Sequence, residues 1–133
     1  CFLTKAAVPG MKSRKMGKSI NLASRWAMTG ADNSSHYIAA KGALIGVTKA
    51  WAHEFAPWNI NVNAVAPGGV WTDMVLKASG EAFIRAEEKK VPLQRWAQPV
   101  EYAYAVAFLA SGESDFMTGQ VLSPNGGASI VGI

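Results

Sequence analysis

Short apolar segments alternate with longer helical stretches along this chain, and that alternation constrains its fold more than any other feature. The segments 19–24 (SINLAS), 60–67 (INVNAVAP) and 119–123 (GQVLS) have the composition of buried strands. Residues 36–56 and 99–111 have the length and the apolar content of helices. Strands that alternate with helices form parallel sheets covered by those helices. We therefore expect an α/β fold built on a parallel sheet.

The remaining segments fit the same plan. Residues 2–12 are predicted to be the end of a helix, whose last turn Pro9 should loosen. Ser34 or Ser35 can cap the long helix that follows. The rest of the pattern consists of a polar loop at 25–35 and an amphipathic region at 73–90.

The composition is typical of one globular domain. With 133 residues, of which 50% are hydrophobic and 17% charged, the chain can bury a core and is not expected to be disordered. No apolar run approaches the roughly 20 residues that a membrane span needs, so we expect no membrane partner. The single cysteine, Cys1, excludes an internal disulfide and offers no metal cluster, which favours a cytoplasmic location.

The basic residues are concentrated near the start of the chain. The net charge is +4, and the first acidic residue is Asp32. A nucleic-acid site would need aromatic residues among the basic ones, and the segment GMKSRKMGKS has none. A solvated turn is the favoured interpretation, and no nucleic-acid partner is expected.

The first residues indicate that the chain is part of a longer protein. The sequence begins with Cys1, in the middle of an apolar helical pattern that has no cap before it. We therefore expect an upstream portion to be missing.

One tyrosine and one lysine lie four positions apart in the segment HYIAAKGALIG of the long helix. Residues with this spacing share a helix face, so the Tyr37 hydroxyl and the Lys41 ammonium should lie near each other. A positive charge beside a phenol favours its ionised form, which suits proton transfer. Ser24 and Pro67 lie at the C-terminal ends of two predicted strands, where parallel α/β sheets bind their ligands. These residues are candidates for one site.

The order and spacing of these motifs resemble the short-chain dehydrogenase/reductase family. Ser24, Tyr37 thirteen positions later and Lys41 four positions after that resemble its Ser and Tyr-x-x-x-Lys signature. The segments NVNAVAPGGVWTDM and VPLQRWAQPVEYAYAVAFLASGESDFMTGQVLSPNGG resemble its strand with a Pro-Gly turn and its C-terminal stretch. The resemblance extends over about residues 2–128. It implies a Rossmann-like doubly wound parallel sheet, with residues 1–133 as the C-terminal, catalytic part of a single domain.

The same resemblance implies an NAD(P)-dependent oxidoreductase that interconverts a ketone and a secondary alcohol by hydride transfer. Tyr37 would be the general acid/base, Lys41 would support its ionisation and bind the nicotinamide ribose, and Ser24 would bind the substrate oxygen. The cofactor would be NAD or NADP, and no metal is implied. Tyr37 and Lys41 would share the cofactor contacts with a nicotinamide-side loop formed by Pro67, Gly68, Val70 and Thr72.

Bulky side chains are predicted around the substrate. They come from the loop after Ser24 and from the segment around Thr72, and a surface of this kind suits a hydrophobic or aromatic ketone or alcohol. Equally, Trp26 and Trp71 could serve only to pack the scaffold. The residues of this group are Arg25, Trp26, Met28, Trp71 and Met74.

The chain departs from the family pattern in several places. The Gly-rich turn that holds the pyrophosphate, the asparagine of the proton relay and the residue that selects NAD or NADP would all lie upstream of this sequence. Asn125 stands where the family usually has Asp, Gln94 where it has a small residue, and Ala97 where Gly is common. These three changes concern the scaffold and the cofactor edge more than catalysis.

The long helix 36–56 carries apolar residues on more than one face, with Leu44 and Trp51 on one and Ile45 beside them. A helix that is apolar on several sides can cover a sheet and also contact another subunit. The family commonly forms dimers and tetramers through this helix and the one that ends at residues 2–12. We therefore expect a homo-oligomer, most favourably a tetramer. The alternative is a non-catalytic fragment or oligomerisation module that lacks its own cofactor site.

Overall fold

The structure, a computed structural model, describes residues 2–130 and contains one parallel sheet. Cys1, on which the prediction about disulfides rests, lies outside the described residues. Strand β1 (Gly17–Leu22) pairs with β2 (Ile60–Val65), which also pairs with β3 (Val121–Leu122). The order in the sheet is β1-β2-β3, and the register aligns Gly17 with Ile60. The predicted α/β fold with a parallel sheet is therefore confirmed.

Six α-helices connect or flank these strands within the described part of the chain. They are α1 (Phe2–Arg14), α2 (Trp26–Thr29), α3 (Ser35–Phe55), α4 (Asp73–Ser79), α5 (Glu81–Glu88) and α6 (Pro99–Ala110). Of the helices among residues 2–130, none combines the length and the apolar character that a bilayer crossing requires.

Strand β2 forms the centre of the core because it is paired on both sides and covered on both faces. Val62 and Ala64 are fully buried and belong to clusters that include residues of α3. Asn63, which points to the other face, donates to the Met117 carbonyl oxygen at 2.8 Å and accepts from the Gln120 backbone N–H at 3.0 Å. The polar side chain is thus satisfied by the segment that leads from α6 to β3.

Helix α1 continues past the proline at which its last turn was predicted to loosen. It runs through Pro9 to Arg14, so the prediction of an end near residue 12 was wrong by two residues. Proline has no backbone N–H, so the helix carbonyl four residues before Pro9 lacks its usual donor. Pro9 is exposed, and on that side water can bind this carbonyl instead. Val8 and Met11 point inwards and pack against the core cluster around Phe55.

The amphipathic region 73–90 forms two helices, because Gly80, whose φ of 78° is left-handed, separates α4 from α5. Two further local predictions need correction, the serine cap of α3 and the loop over residues 25–35. Ser34 occupies the N-cap position of α3 but makes no capping bond. Its hydroxyl instead donates to the Asp32 carbonyl oxygen at 3.0 Å, because the preceding loop folds back on itself. That loop also contains α2, which was not predicted.

Candidate active site

Ser24 lies at the C-terminal edge of the sheet, two residues beyond the end of β1. Hydrogen bonds from Ala23 N–H to the Val65 carbonyl oxygen (2.8 Å) and from Arg25 N–H to the Pro67 carbonyl oxygen (3.1 Å) continue the pairing of the strands on either side of it. Its side chain is buried, and its hydroxyl oxygen accepts from the Trp26 backbone N–H at 3.2 Å. Among residues 2–130 no acceptor binds the Ser24 hydroxyl proton, so that proton can be donated to a ligand.

Tyr37 is the third residue of α3 and is 38% exposed. Its ring meets the Trp26 ring edge-on, with centroids 6.0 Å apart and an interplanar angle of 80°. Because the backbone of Trp26 also binds Ser24, this one tryptophan contacts two of the three predicted catalytic residues. The short helix α2 is therefore the element that links the β1 end to the start of α3.

Lys41 lies one helical turn after Tyr37, as the sequence predicted, and its ammonium is 5.8 Å from the centroid of the Tyr37 ring. The same ammonium donates to the Leu22 carbonyl oxygen at 2.7 Å. That bond fixes the lysine at the end of β1, beside the ring that it was predicted to support. The structure thus gathers Ser24, Tyr37 and Lys41 around the end of one strand.

The predicted nicotinamide-side segment leaves β2 at the same edge and packs closely against the turn after β3. Gly68 N–H donates to the Pro124 carbonyl oxygen at 3.2 Å. A β-carbon on Gly68 would lie 2.8 Å from the Asn125 α-carbon, so only glycine fits there. Val70 forms a parallel bridge with Ala97. Thr72 caps α4, and its hydroxyl oxygen accepts from the Val75 N–H at 3.3 Å.

The structure places the five predicted substrate-side residues in different environments. Trp26, which is 39% exposed, borders Tyr37, whereas Met28 packs against the buried cluster at the end of β2. One guanidinium nitrogen of Arg25 donates to the Ser129 hydroxyl at 3.3 Å. Met74 is exposed on α4, and the Trp71 indole N–H donates to the carboxylate of Glu88 on α5 at 2.8 Å.

Glu88, at the end of α5, is a buried carboxylate that the sequence analysis did not identify. It accepts from the Trp71 indole N–H at 2.8 Å, the Trp96 backbone N–H at 3.0 Å and an Arg85 nitrogen at 3.1 Å. The Trp96 backbone bond, followed by the Trp71 and Arg85 bonds, lowers the pKa of Glu88, so the carboxylate is ionised. Glu88 lies four residues after buried Ile84, on the same face of α5. An acidic residue on the apolar face of a helix is the sequence signal that could have identified this buried carboxylate.

A second carboxylate, Glu101, organises the start of α6. It binds both terminal nitrogens of the Arg95 guanidinium, at 2.7 and 2.6 Å, and accepts from the Gln98 backbone N–H at 2.8 Å. The Arg95 hydrogen bonds and then the Gln98 bond lower the pKa of Glu101 to about 2. Tyr102 is the next residue of α6. Its hydroxyl donates to the Gly69 carbonyl oxygen at 2.8 Å, and burial raises the pKa of Tyr102. The Tyr102 bond anchors the loop that leaves β2 to α6.

The chain is similar to several known proteins in sequence and in fold. Residues 1–129 match the protein family described as enoyl-(acyl carrier protein) reductase. The chain is 40% identical over 130 residues to the 3-oxoacyl-(acyl-carrier-protein) reductase FabG of Rickettsia prowazekii, an alignment that covers 98% of this chain and 54% of that protein. The chain therefore spans about half the length of the curated relatives it matches.

Two solved structures have the same fold over almost the whole chain. A 3-oxoacyl-(acyl-carrier protein) reductase with bound NAD from Brucella melitensis superposes with a TM-score of 0.85 at 35% identity, covering 97% of this chain and 47% of that one. A protein described as a short chain dehydrogenase/reductase family protein superposes with a TM-score of 0.87 at 40% identity, covering 95% of this chain and 51% of that one. The predicted partial Rossmann-like fold is therefore confirmed. With the match over residues 1–129, these similarities establish that the chain belongs to the short-chain dehydrogenase/reductase family.

Proposed function

We propose that the protein containing residues 1–133 is an NAD(P)-dependent reductase that interconverts a ketone and a secondary alcohol, and that these residues are the C-terminal, catalytic part of a single domain. The single observation that carries the proposal is the placement of Tyr37 between Trp26 and Lys41. In this placement the lysine ammonium lies 5.8 Å from the centre of the Tyr37 ring, and Trp26 contacts both that ring and the Ser24 hydroxyl oxygen.

Each of the three polar side chains has a separate task in this mechanism. Ser24 donates its hydroxyl proton in a hydrogen bond to the carbonyl oxygen of the substrate and orients it. When bound, a nicotinamide cofactor would supply the hydride that the carbonyl carbon accepts. Tyr37 then gives its phenolic proton to the developing alkoxide, and the Lys41 charge stabilises the phenolate that remains until water returns a proton. Oxidation of the alcohol runs through the same groups in reverse.

The segment after β2 fits the nicotinamide end of the cofactor. Gly68 lets the turn after β3 pack directly against this segment, which fixes the backbone of the loop proposed to hold the nicotinamide. Pro67, Gly68, Val70 and Thr72 would hold the nicotinamide, while Tyr37 and Lys41 would bind its ribose. The relative of known structure with bound NAD supports a nicotinamide cofactor. These proposed contacts involve the nicotinamide and its ribose, which NAD and NADP share, so they select neither cofactor.

Two substrate classes follow from different observations. The names of the relatives favour a 3-oxoacyl group carried on a thioester. The exposed Trp26 ring beside Tyr37 favours a hydrophobic or aromatic ketone, which would contact Arg25, Trp26 and Trp71. Both are ketones, and both would place their carbonyl oxygen at Ser24.

A direct assay tests the proposed activity. The purified protein that contains residues 1–133 is incubated with NADH or NADPH and with either an acetoacetyl thioester or an aromatic ketone. Cofactor oxidation is followed at 340 nm. Oxidation that depends on the ketone and on Tyr37 is the expected result. An active protein whose rate is the same with phenylalanine at position 37 would contradict the proposed role of the phenol.

A second candidate is a non-catalytic fragment or oligomerisation module without its own cofactor site. The half-length coverage of the relatives supports it. Titration of residues 1–133 with NADH and NADPH distinguishes the two candidates. Enhanced or shifted cofactor fluorescence supports a working cofactor site, whereas an unchanged emission spectrum supports the inert fragment.

We also propose that the protein is a cytoplasmic homo-oligomer, a dimer or a tetramer. A groove of about 410 Å³ lies between α1 and α3 and is bordered by apolar and charged side chains, among them Val8, Trp51 and Phe55. Leu3 is 87% exposed on the same helix α1, so its substitution Leu3→Glu should lower the mass measured by light scattering. A monomeric mass for the unsubstituted protein would contradict the oligomer.

A further inference from the structure

The buried carboxylate of Glu88 connects three separate segments next to the candidate site. It accepts the Trp71 indole N–H from the loop after β2 and the Trp96 backbone N–H from the loop before α6, and it belongs itself to α5. The two loops also bind each other. Trp71 N–H donates to the Ala97 carbonyl oxygen at 3.0 Å, and Ala97 N–H donates to the Gly69 carbonyl oxygen at 3.1 Å. One side chain thus fixes the loop that carries the cofactor-side residues.

The orientation of Trp71 is determined on two sides. Glu88 holds the indole at its N–H edge, and the guanidinium carbon of Arg85 lies 4.8 Å from its ring centre. Arg85 also donates to Glu88 at 3.1 Å and to Glu81 at 3.4 Å. The indole therefore cannot turn without breaking a hydrogen bond and losing a cation–π contact.

A carboxylate in this position is costly and needs a reason. An ionised group buried without enough partners is strongly disfavoured, and an apolar residue of similar volume would often serve packing as well. What an apolar residue cannot do is fix the angle of a neighbouring indole through its N–H. The three groups that donate to Glu88 satisfy its charge. One of them is the Trp71 indole N–H, so the same carboxylate specifies one arrangement of Trp71.

We infer that Glu88 is a positioning residue that sets the substrate range of the enzyme by fixing the Trp71 indole beside the substrate. The inference rests on the proposed function. Trp71 lies between Val70 and Thr72, and the loop that carries it begins at Pro67, which binds the backbone next to Ser24. In the proposed arrangement the indole would limit the size and the angle of the group attached to the carbonyl carbon.

The first test observes the indole directly and needs no substrate. In a proton–nitrogen spectrum of residues 1–133 with labelled tryptophan, Trp71→Phe identifies the Trp71 indole signal among those of the five tryptophans. We expect Glu88→Gln to move this signal upfield while the signals of Trp26, Trp51 and Trp58 stay in place. The matched control is Glu87→Gln, which removes an equal charge one residue earlier. A Trp71 signal unchanged by Glu88→Gln would overturn the inference.

The second test measures selectivity. We expect Glu88→Gln to change the ratio of kcat/KM for an aromatic ketone to that for a small aliphatic ketone by about tenfold, mainly through KM. An active Glu88→Gln variant with an unchanged ratio overturns the positioning role alone. Absence of ketone reduction by the unsubstituted enzyme overturns the proposed function, and the positioning role with it.

A milder variant keeps the inference testable if Glu88→Gln does not fold. Arg85 is 61% exposed, so Arg85→Met should fold normally while it removes both the Arg85–Glu88 bond and the contact with the indole face. We expect the same direction of change in the selectivity ratio, with a smaller size. No change in that ratio and no movement of the Trp71 signal would contradict the inference.

Discussion

The Lys41 ammonium donates a hydrogen bond to the carbonyl oxygen of Leu22 at 2.7 Å and lies 5.8 Å from the centre of the Tyr37 ring. One charge therefore joins α3 to the last residue of β1 and also faces the phenol proposed to transfer the proton. The bond to Leu22 fixes where the charge is, and the helix spacing fixes what it faces. The proposed mechanism therefore depends on the Lys41 charge.

Replacing Lys41 with methionine should shift the pH dependence of alcohol oxidation. Without the nearby positive charge the phenolate is harder to form, so the pH at half-maximal rate should rise by about one to three pH units. The measurement is kcat against pH in the oxidative direction. Lys49→Met, on an exposed position of the same helix, is the control and should leave the profile in place. Equal profiles for both variants would argue against a role of Lys41 in ionisation.

Replacing Tyr37 with phenylalanine should lower kcat by about 10²-fold or more, because the proton donor is lost while the ring contact with Trp26 is kept. The control is Tyr104→Phe, since Tyr104 is 67% exposed on α6. Steady-state rates of both variants are compared at a saturating cofactor concentration. Near-normal turnover in Tyr37→Phe would remove the general acid/base from the mechanism.

Two glycine substitutions should have opposite effects on stability. Gly68→Ala places a methyl group 2.8 Å from the Asn125 α-carbon and should cost about 1–3 kcal/mol of unfolding free energy. Gly46→Ala, in the middle of α3 with no atom within 4 Å of the new methyl group, should stabilise by about 0.5–1 kcal/mol. Urea unfolding curves give both values. A neutral Gly68→Ala would mean that the turn after β3 can move aside.

Acid should weaken the protein in part through Glu101. Its pKa is lowered to about 2 in the folded state from an ordinary value of 4.5, so its contribution to stability is complete above about pH 4.5. That contribution is lost progressively as the pH falls towards 2. Glu101→Gln should therefore lower the Tm at pH 6 and show a smaller further loss at pH 3 than the unsubstituted protein. Glu113→Gln, at an exposed site, is the control for the loss of one charge.

The sequence predicted those parts of the fold that depend on periodic apolar residues and on strong local signals. Strand β2 is apolar at four of its six positions, and α3 has 21 residues, so neither could be mistaken for a loop. The spacing from Ser24 to Tyr37 and Lys41, together with the family resemblance, predicted these three residues as a candidate site, and the structure brings them to the end of β1. Their catalytic roles stay predictions. These elements were read from patterns that need no knowledge of distant contacts.

The features that were not predicted depend on contacts between distant segments. Pro9 continues a helix because it happens to face outwards, and Glu88 is buried because Trp71 and Trp96 supply donors from two other loops. Gly80 was visible in the sequence, but the left-handed conformation that divides α4 from α5 follows from how the chain turns there. Burial and hydrogen bonding of this kind are properties of the packed chain, so a local pattern cannot reveal them.

The position of β2 has a consequence for how the protein opens. Its amide groups are bonded to strands on both sides, and its Val62, Ala64 and Val65 side chains are fully buried. Deuterium from the solvent should therefore enter this strand last, at a rate set by unfolding of the whole unit, while the ends of α1 and α4 exchange much earlier. We therefore expect the strand that leads into the cofactor-side loop to have the slowest-exchanging amides among residues 2–130.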